Sequence, residues 1–114
     1  LNGSIASGTT TVNGGTLRLG ASDVISDASN VTVAAGAVFD LNGFNETIAS
    51  IAGAGDVTLG AGTLTIGGTT STTFSGIISG VGGTVAKTNT STLTLTGNNT
   101  FSGGFILGNG TANK

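Results

Sequence analysis

Eight ionisable side chains are the whole inventory for acid–base or metal chemistry in this 114-residue chain. Asp23, Asp27, Asp40, Glu46 and Asp56 stand against Arg18, Lys87 and Lys114, with no His, Cys or Tyr. Hydrolysis of a polysaccharide would need paired carboxylates, or acids clustered with Arg or Lys, to move protons at the scissile bond. Asp23 and Asp27 are the nearest such pair, and residues 21–30 read as a solvated loop protruding from the body. The many serines have only a carboxylate or Lys87 as a base, which leaves nucleophilic catalysis without its usual partner. A calcium ion would draw on Asp23, Asp27 and Asp56 with backbone carbonyls. The Gly-Gly-x-Gly-x-Asp nonapeptide of calcium-binding rolls is absent, and Gly53-Ala54-Gly55-Asp56 is only its shadow. We therefore expect a non-enzymatic chain and assign no catalytic, cofactor-binding or metal-binding residue.

Composition limits the partners and the elements. A net charge of −2 with three cations argues against nucleic acid. No apolar run approaches the roughly 18 residues of a membrane helix. The absence of Cys excludes disulfides and thiolate metal sites. Asn-x-Ser/Thr sequons at Asn2, Asn30, Asn45, Asn89, Asn98 and Asn109 are what a chain rich in Thr and Asn produces by composition. Twenty-two glycines and many β-branched residues disfavour helix, and regularly spaced Val, Leu and Ile disfavour disorder. Strands remain. The chain opens at Leu1 without an initiator Met or a basic, apolar leader, and so reads as an excerpt or a processed product.

The strands are joined by a six-residue pattern that occurs four times. Its copies are Val12-Asn13-Gly14-Gly15-Thr16-Leu17, Val33-Ala34-Ala35-Gly36-Ala37-Val38, Leu59-Gly60-Ala61-Gly62-Thr63-Leu64 and Leu107-Gly108-Asn109-Gly110-Thr111-Ala112. Each reads as strand, tight corner, strand, with Gly15, Gly36, Gly62 and Gly110 supplying the positive φ that a Cβ resists. Period-2 alternation flanks the corners, as in Leu17-Arg18-Leu19 and Leu64-Thr65-Ile66. A further corner with a longer loop is expected between Val85 and Leu93. Hairpins in an antiparallel meander compete, with Asn13-Gly14 in their favour. Recurrence at intervals of about 24 residues favours a stacked solenoid instead. The expected architecture is all-β, a right-handed parallel β-helix of roughly five rungs. Its core column holds Leu17, Leu19, Val31, Val33, Leu41, Val57, Leu59, Leu64, Ile66, Leu93 and Leu95. Phe39, Phe44, Phe74, Phe101 and Phe105 are expected to fill wider corners.

One stretch points to a family. Val85-Ala86-Lys87-Thr88-Asn89-Thr90-Ser91-Thr92-Leu93-Thr94-Leu95-Thr96-Gly97-Asn98-Asn99-Thr100-Phe101-Ser102-Gly103-Gly104 closely resembles the autotransporter-associated β-strand repeat of bacterial passenger domains. The second half of that repeat matches Thr9-Thr10-Thr11-Val12-Asn13-Gly14-Gly15-Thr16-Leu17-Arg18-Leu19 near the other end. The segments Phe39 to Phe44 and Phe74 to Gly80 look like those that separate such repeats. Asn89 and Ser91 replace a usual Gly pair, Phe101 replaces a common Tyr, and Phe105-Ile106-Leu107 replaces Thr-Thr-Val, which predicts a more apolar face near the C-terminus.

The resemblance implies that residues 1–114 are a β-solenoid segment of a larger passenger, with repeat-like pieces at 9–19 and 85–112. It also implies a bacterial protein, exported and held at the outer surface by a C-terminal β-barrel. The sequence shows none of the aromatic girdles of such a barrel, so membrane contact is expected only through a part not present here. The expected role is a structural stalk that supports adhesion or self-association, with end-to-end strand stacking into a fibre. No receptor or surface ligand is identified by the sequence, and no cofactor is expected. The alternative is an ice- or carbohydrate-surface-binding solenoid that uses outward rows of Thr, with Arg18 and Asp40 interrupting the rows.

Overall fold

A computed structural model describes the backbone of residues 8–107 and 111–113 and the side chains of residues 8–106. It contains fourteen short strands: β1 (Thr9–Val12), β2 (Thr16–Arg18), β3 (Asn30–Val33), β4 (Val38–Asp40), β5 (Glu46–Ile48), β6 (Ser50–Gly53), β7 (Asp56–Thr58), β8 (Thr63–Ile66), β9 (Thr72–Phe74), β10 (Ile78–Ser79), β11 (Thr84–Lys87), β12 (Thr92–Leu95), β13 (Gly104–Leu107) and β14 (Thr111–Asn113). They form three sheets in the orders β1-β3-β6-β9-β12-β14, β2-β4-β7-β10 and β5-β8-β11-β13. Every pairing is parallel. The chain thus winds from the first sheet to the second to the third and back, about five times, as a parallel β-solenoid. The antiparallel meander has no place in it.

Alternation does what the sequence leads one to expect. Along β3, β8, β11 and β12 every second residue is buried. Inward positions stack in ladders such as Leu17–Phe39–Val57–Ile78 across the second sheet. Of the expected column only Leu17 is less than fully buried, and Val12, Val24, Ile25, Ile48, Ile51, Ile78 and Val85 complete it. Phe39 and Phe74 are not corner fillers. Both are fully buried within strands, with Phe74 in register opposite Gly53. Phe44, Phe101 and Phe105 pack against the core from partly buried positions.

The corners depart more from expectation. Partners lie 18 to 22 positions apart, as in Val38 opposite Asp56 and Thr16 opposite Val38, rather than about 24. The four-copy pattern is not one corner recurring. The first two copies join the first sheet to the second, whereas the third joins the second to the third, so the distance between the outer copies exceeds four whole rungs. Gly15 and Gly36 have the expected positive φ, but Gly62 does not; there Gly60 takes the left-handed conformation. The turn of the fourth copy, residues 108–110 with Gly110, lies outside the described residues, as do the sequon asparagines Asn2 and Asn109 and Lys114.

A second kind of glycine lines the corner between the first and second sheets. A Cβ on Gly55 would lie 2.4 Å from the Ala34 carbonyl oxygen, on Gly76 1.5 Å from that of Gly55, and on Gly97 2.0 Å from that of Gly76. None of the three has positive φ. They stand one above another because backbone packs directly on backbone, with no space for even a methyl group.

Candidate functional site

Each ionisable side chain within the described residues has a traceable position. Residues 21–30 do not protrude as a free loop: Val24, Ile25 and Ser29 are buried, and Asp23 turns the chain with φ 58°. The device that pulls this segment inward is Glu46 on β5. Its Oε2 accepts the Val24 and Ile25 backbone N–H groups at 2.9 and 3.2 Å, replacing carbonyls that a regular strand would offer. Burial pushes the Glu46 carboxyl above its ordinary value of 4.5; the two N–H donors oppose this, and the charge of Asp23 adds to it.

Lys87 is the second buried charge. It takes an inward position on β11, in register between Ile66 and Leu107. Its Nζ donates to the Thr88 carbonyl at 2.8 Å and to Ser91 Oγ at 2.7 Å, and Ser91 Oγ donates onward to the Gly68 carbonyl at 3.0 Å. Burial pushes the Lys87 amine down from 10.5. Lysine beside serine suggests a nucleophile and its base, but the protons run the other way. Lys87 is the donor, the Ser91 proton is committed to Gly68, and Ser91 is buried. The pair clamps the corner between β11 and β12 onto the rung before it.

Arg18 and Asp40 are cross-strand partners on β2 and β4, with Nε 2.9 Å from Oδ2. Partial burial works to raise the Asp40 pKa. Hydrogen bonds from the Asn42 N–H, the Thr58 hydroxyl and Arg18 outweigh it and hold the carboxyl below its ordinary 3.8. Asp56 faces solvent on β7 and Asp27 lies in the corner before β3. Among the described residues, no three acidic side chains converge on a point where a cation would sit.

Two surface features remain once these groups are placed. The first is the outer face of the six-stranded sheet. Thr9, Asn30 and Ser50 form one row, with Thr92 in the same position later in the sheet. Thr11, Thr32 and Ala52 form the neighbouring row, and Thr94 pairs Thr73 farther along it. Arg18 and Asp40 do not interrupt these rows, because both lie on the second sheet. Sequence reading missed this because adjacency in sequence does not reveal which of three faces a strand joins.

The second feature is a notch at the edge between the third and first sheets. Only Ala49 separates β5 from β6, whereas residues 67–71 separate β8 from β9 and residues 26–29 precede β3. The short corner is therefore flanked by two longer ones. The recess is a shallow depression open to solvent, of about 440 Å³, with Asp27 and Asn30 on one wall, Ala49 and Gly68 at its floor, and Thr69 and Thr70 on the other wall. No motif announces it, since its cause is a difference in corner length.

A three-faced parallel β-solenoid with buried ladders and a hydroxyl-rich exterior is consistent with an autotransporter passenger domain. The comparison with known proteins agrees. Over 104 residues the chain is 39% identical to the adhesin BmaC autotransporter of Brucella suis biovar 1 (strain 1330), a match covering 85% of this chain and 3% of that protein. The chain therefore spans a small part of the length of this curated relative. The similarity supports an exported, cell-surface protein with an adhesion-related role. No family model matches, and no solved structure matches.

Proposed function

We propose that this chain is a non-enzymatic length of stalk in an exported bacterial surface protein, holding adhesive regions away from the outer membrane, where a C-terminal barrel outside this chain would anchor it. The observation that supports this most is the uninterrupted parallel ladder, in which each rung hydrogen-bonds the next and the buried charges brace corners. Such a structure lengthens by adding rungs and resists bending because its strands are hydrogen-bonded from rung to rung. In the full-length parent, exchanging the chain for a flexible Gly/Ser segment of equal residue number should leave export intact and reduce adhesion. Unchanged adhesion would refute the stalk.

Self-association is the second part of the reading. β1 and β2 each pair on one side only among the described residues, and a recess of about 320 Å³ lined by Thr10, Val12 and Leu17 opens beside them. A further rung, from this chain or another copy, would continue the ladder there. Small-angle scattering should show a particle that lengthens with concentration. A fixed monomeric length at high concentration would rule out end-on stacking.

The Thr rows favour a distinct reading, in which the six-stranded face lies on an ordered surface such as ice or crystalline carbohydrate. Its observation is the clearing of charge from those rows. Thermal hysteresis, or sedimentation with insoluble cellulose, that is lost in Thr32→Arg would support it; absence of both activities would remove it.

A further inference from the structure

We propose that the notch between the corners at 26–29 and 67–71 is a binding site for an uncharged pyranose unit of a saccharide. The site does not depend on the stalk; it shares Asn30 with a row of the six-stranded face, and it rests on the groups the recess leaves unused. Asp27 is exposed, and its carboxylate makes no hydrogen bond among the described residues. Asn30 is oriented: its Oδ1 accepts the Ser50 hydroxyl at 2.7 Å, which leaves the amide NH2 as the group on offer. On the opposite wall, Thr69 and Thr70 bring two hydroxyls, and their backbone N–H groups are outside the ladder among the described residues. A carboxylate, an amide donor, hydroxyls and backbone donors are the mixture that a ring of vicinal hydroxyls satisfies.

The floor suits the rest of such a ring. The Ala49 methyl and the Gly68 backbone present apolar surface on which C–H groups can rest. It is also stiff. Ala49 N–H donates to the Ser29 carbonyl at 2.8 Å and Gly68 N–H to the Ala49 carbonyl at 2.9 Å. A Cβ on Gly68 would come within 2.5 Å of that oxygen, so the three corners are packed backbone on backbone. A preorganised floor lowers the ordering cost of binding. The volume is within the usual range of small-molecule clefts, roughly 300–1,000 Å³.

Charge narrows the ligand. No cation lines the recess, and Asp27 repels an anionic sugar. A divalent cation needs about six to eight oxygens, and one carboxylate beside two already bonded glycine carbonyls does not supply them. A neutral hexose or N-acetylhexosamine meets these limits.

The test is amide chemical-shift mapping of the full chain, titrated with glucose, galactose, mannose and N-acetylglucosamine to about 50 mM. At least one sugar should give saturable shifts at Asp27, Ala28, Thr69 and Thr70, with a Kd of roughly 1–10 mM. Asp27→Asn should weaken that binding on the order of fivefold, through loss of charge-assisted hydrogen bonds. Asp23→Asn, outside the recess, should leave it unchanged. Ala49→Leu should fill the floor and abolish binding; if it disturbs the fold, the comparison of the two Asp variants decides. Absence of saturable shifts, shifts centred elsewhere, equal affinity in Asp27→Asn, or the same amides responding to calcium chloride alone would each overturn the proposal. None of these results depends on whether the particle lengthens with concentration, so this site and the stalk stand or fall separately.

Discussion

At the scale of single residues, the two buried charges determine how stability should vary with pH. Glu46 has a raised pKa in the folded chain, so between 4.5 and that raised value the folded state holds more protons than the unfolded one. Stability from this group therefore falls as pH rises through that window and is regained on acidification. Asp40 acts oppositely below its ordinary 3.8, where its depressed pKa makes protonation destabilising. Thermal melts should rise as the pH is lowered from neutral toward 4.5, and Glu46→Gln should flatten the rise. Lys87 has a lowered pKa, so between that value and 10.5 the unfolded chain holds more protons and stability increases with pH. Lys87→Met, an apolar chain of similar length, should remove the alkaline increase while leaving the protein folded at pH 7, as circular dichroism across pH will show. These roles were not legible in the sequence. Alternation places Lys87 inward, but only the corner geometry reveals acceptors for its ammonium.

At the scale of elements, strands and corners were legible to different degrees. Period-2 alternation specifies a strand by itself, and Leu93 and Leu95 occupy the buried positions it assigns. Leu95→Asp should therefore place an unpaired charge in the column and cost more than about 3 kcal/mol. Denaturant melts and limited proteolysis will report it, and unchanged curves would show that this column is not the core. Corners were legible as turns but not as positions, because Gly15 and Gly62 look alike in sequence and serve different edges. Two substitutions separate the two kinds of glycine. Gly15→Ala meets no atom within 4 Å and should cost only about 1 kcal/mol for its φ of 66°. Gly76→Ala, with negative φ but no space, should cost more than about 3 kcal/mol.

At the scale of the whole molecule, the described contacts are between consecutive rungs, so stability is a chain of nearest-neighbour terms. Hydrogen exchange should accordingly be slowest in β6, β7 and β8 and fastest toward β1 and β13, even though all belong to the same three sheets. Uniform protection from end to end would indicate a single cooperative unit. The solenoid class was legible in short alternating strands joined by glycine corners, although those corners do not recur once per rung. The notch and the cleared Thr face were not, since both arise from how unequal corners bring distant rungs into line.

The column formed by Gly55, Gly76 and Gly97 has a consequence for how rungs find one another. A ladder of Thr and Leu would accept a slip of two residues, since inside would stay inside and outside would stay outside. Such a slip would seat a Cβ of Phe74, Ile78, Leu95 or Asn99 against a carbonyl where only hydrogen fits. The bare column thus acts as a ratchet tooth: each arriving turn of chain can settle in one phase on the turn before it, and an error at one rung is rejected before the next is laid down.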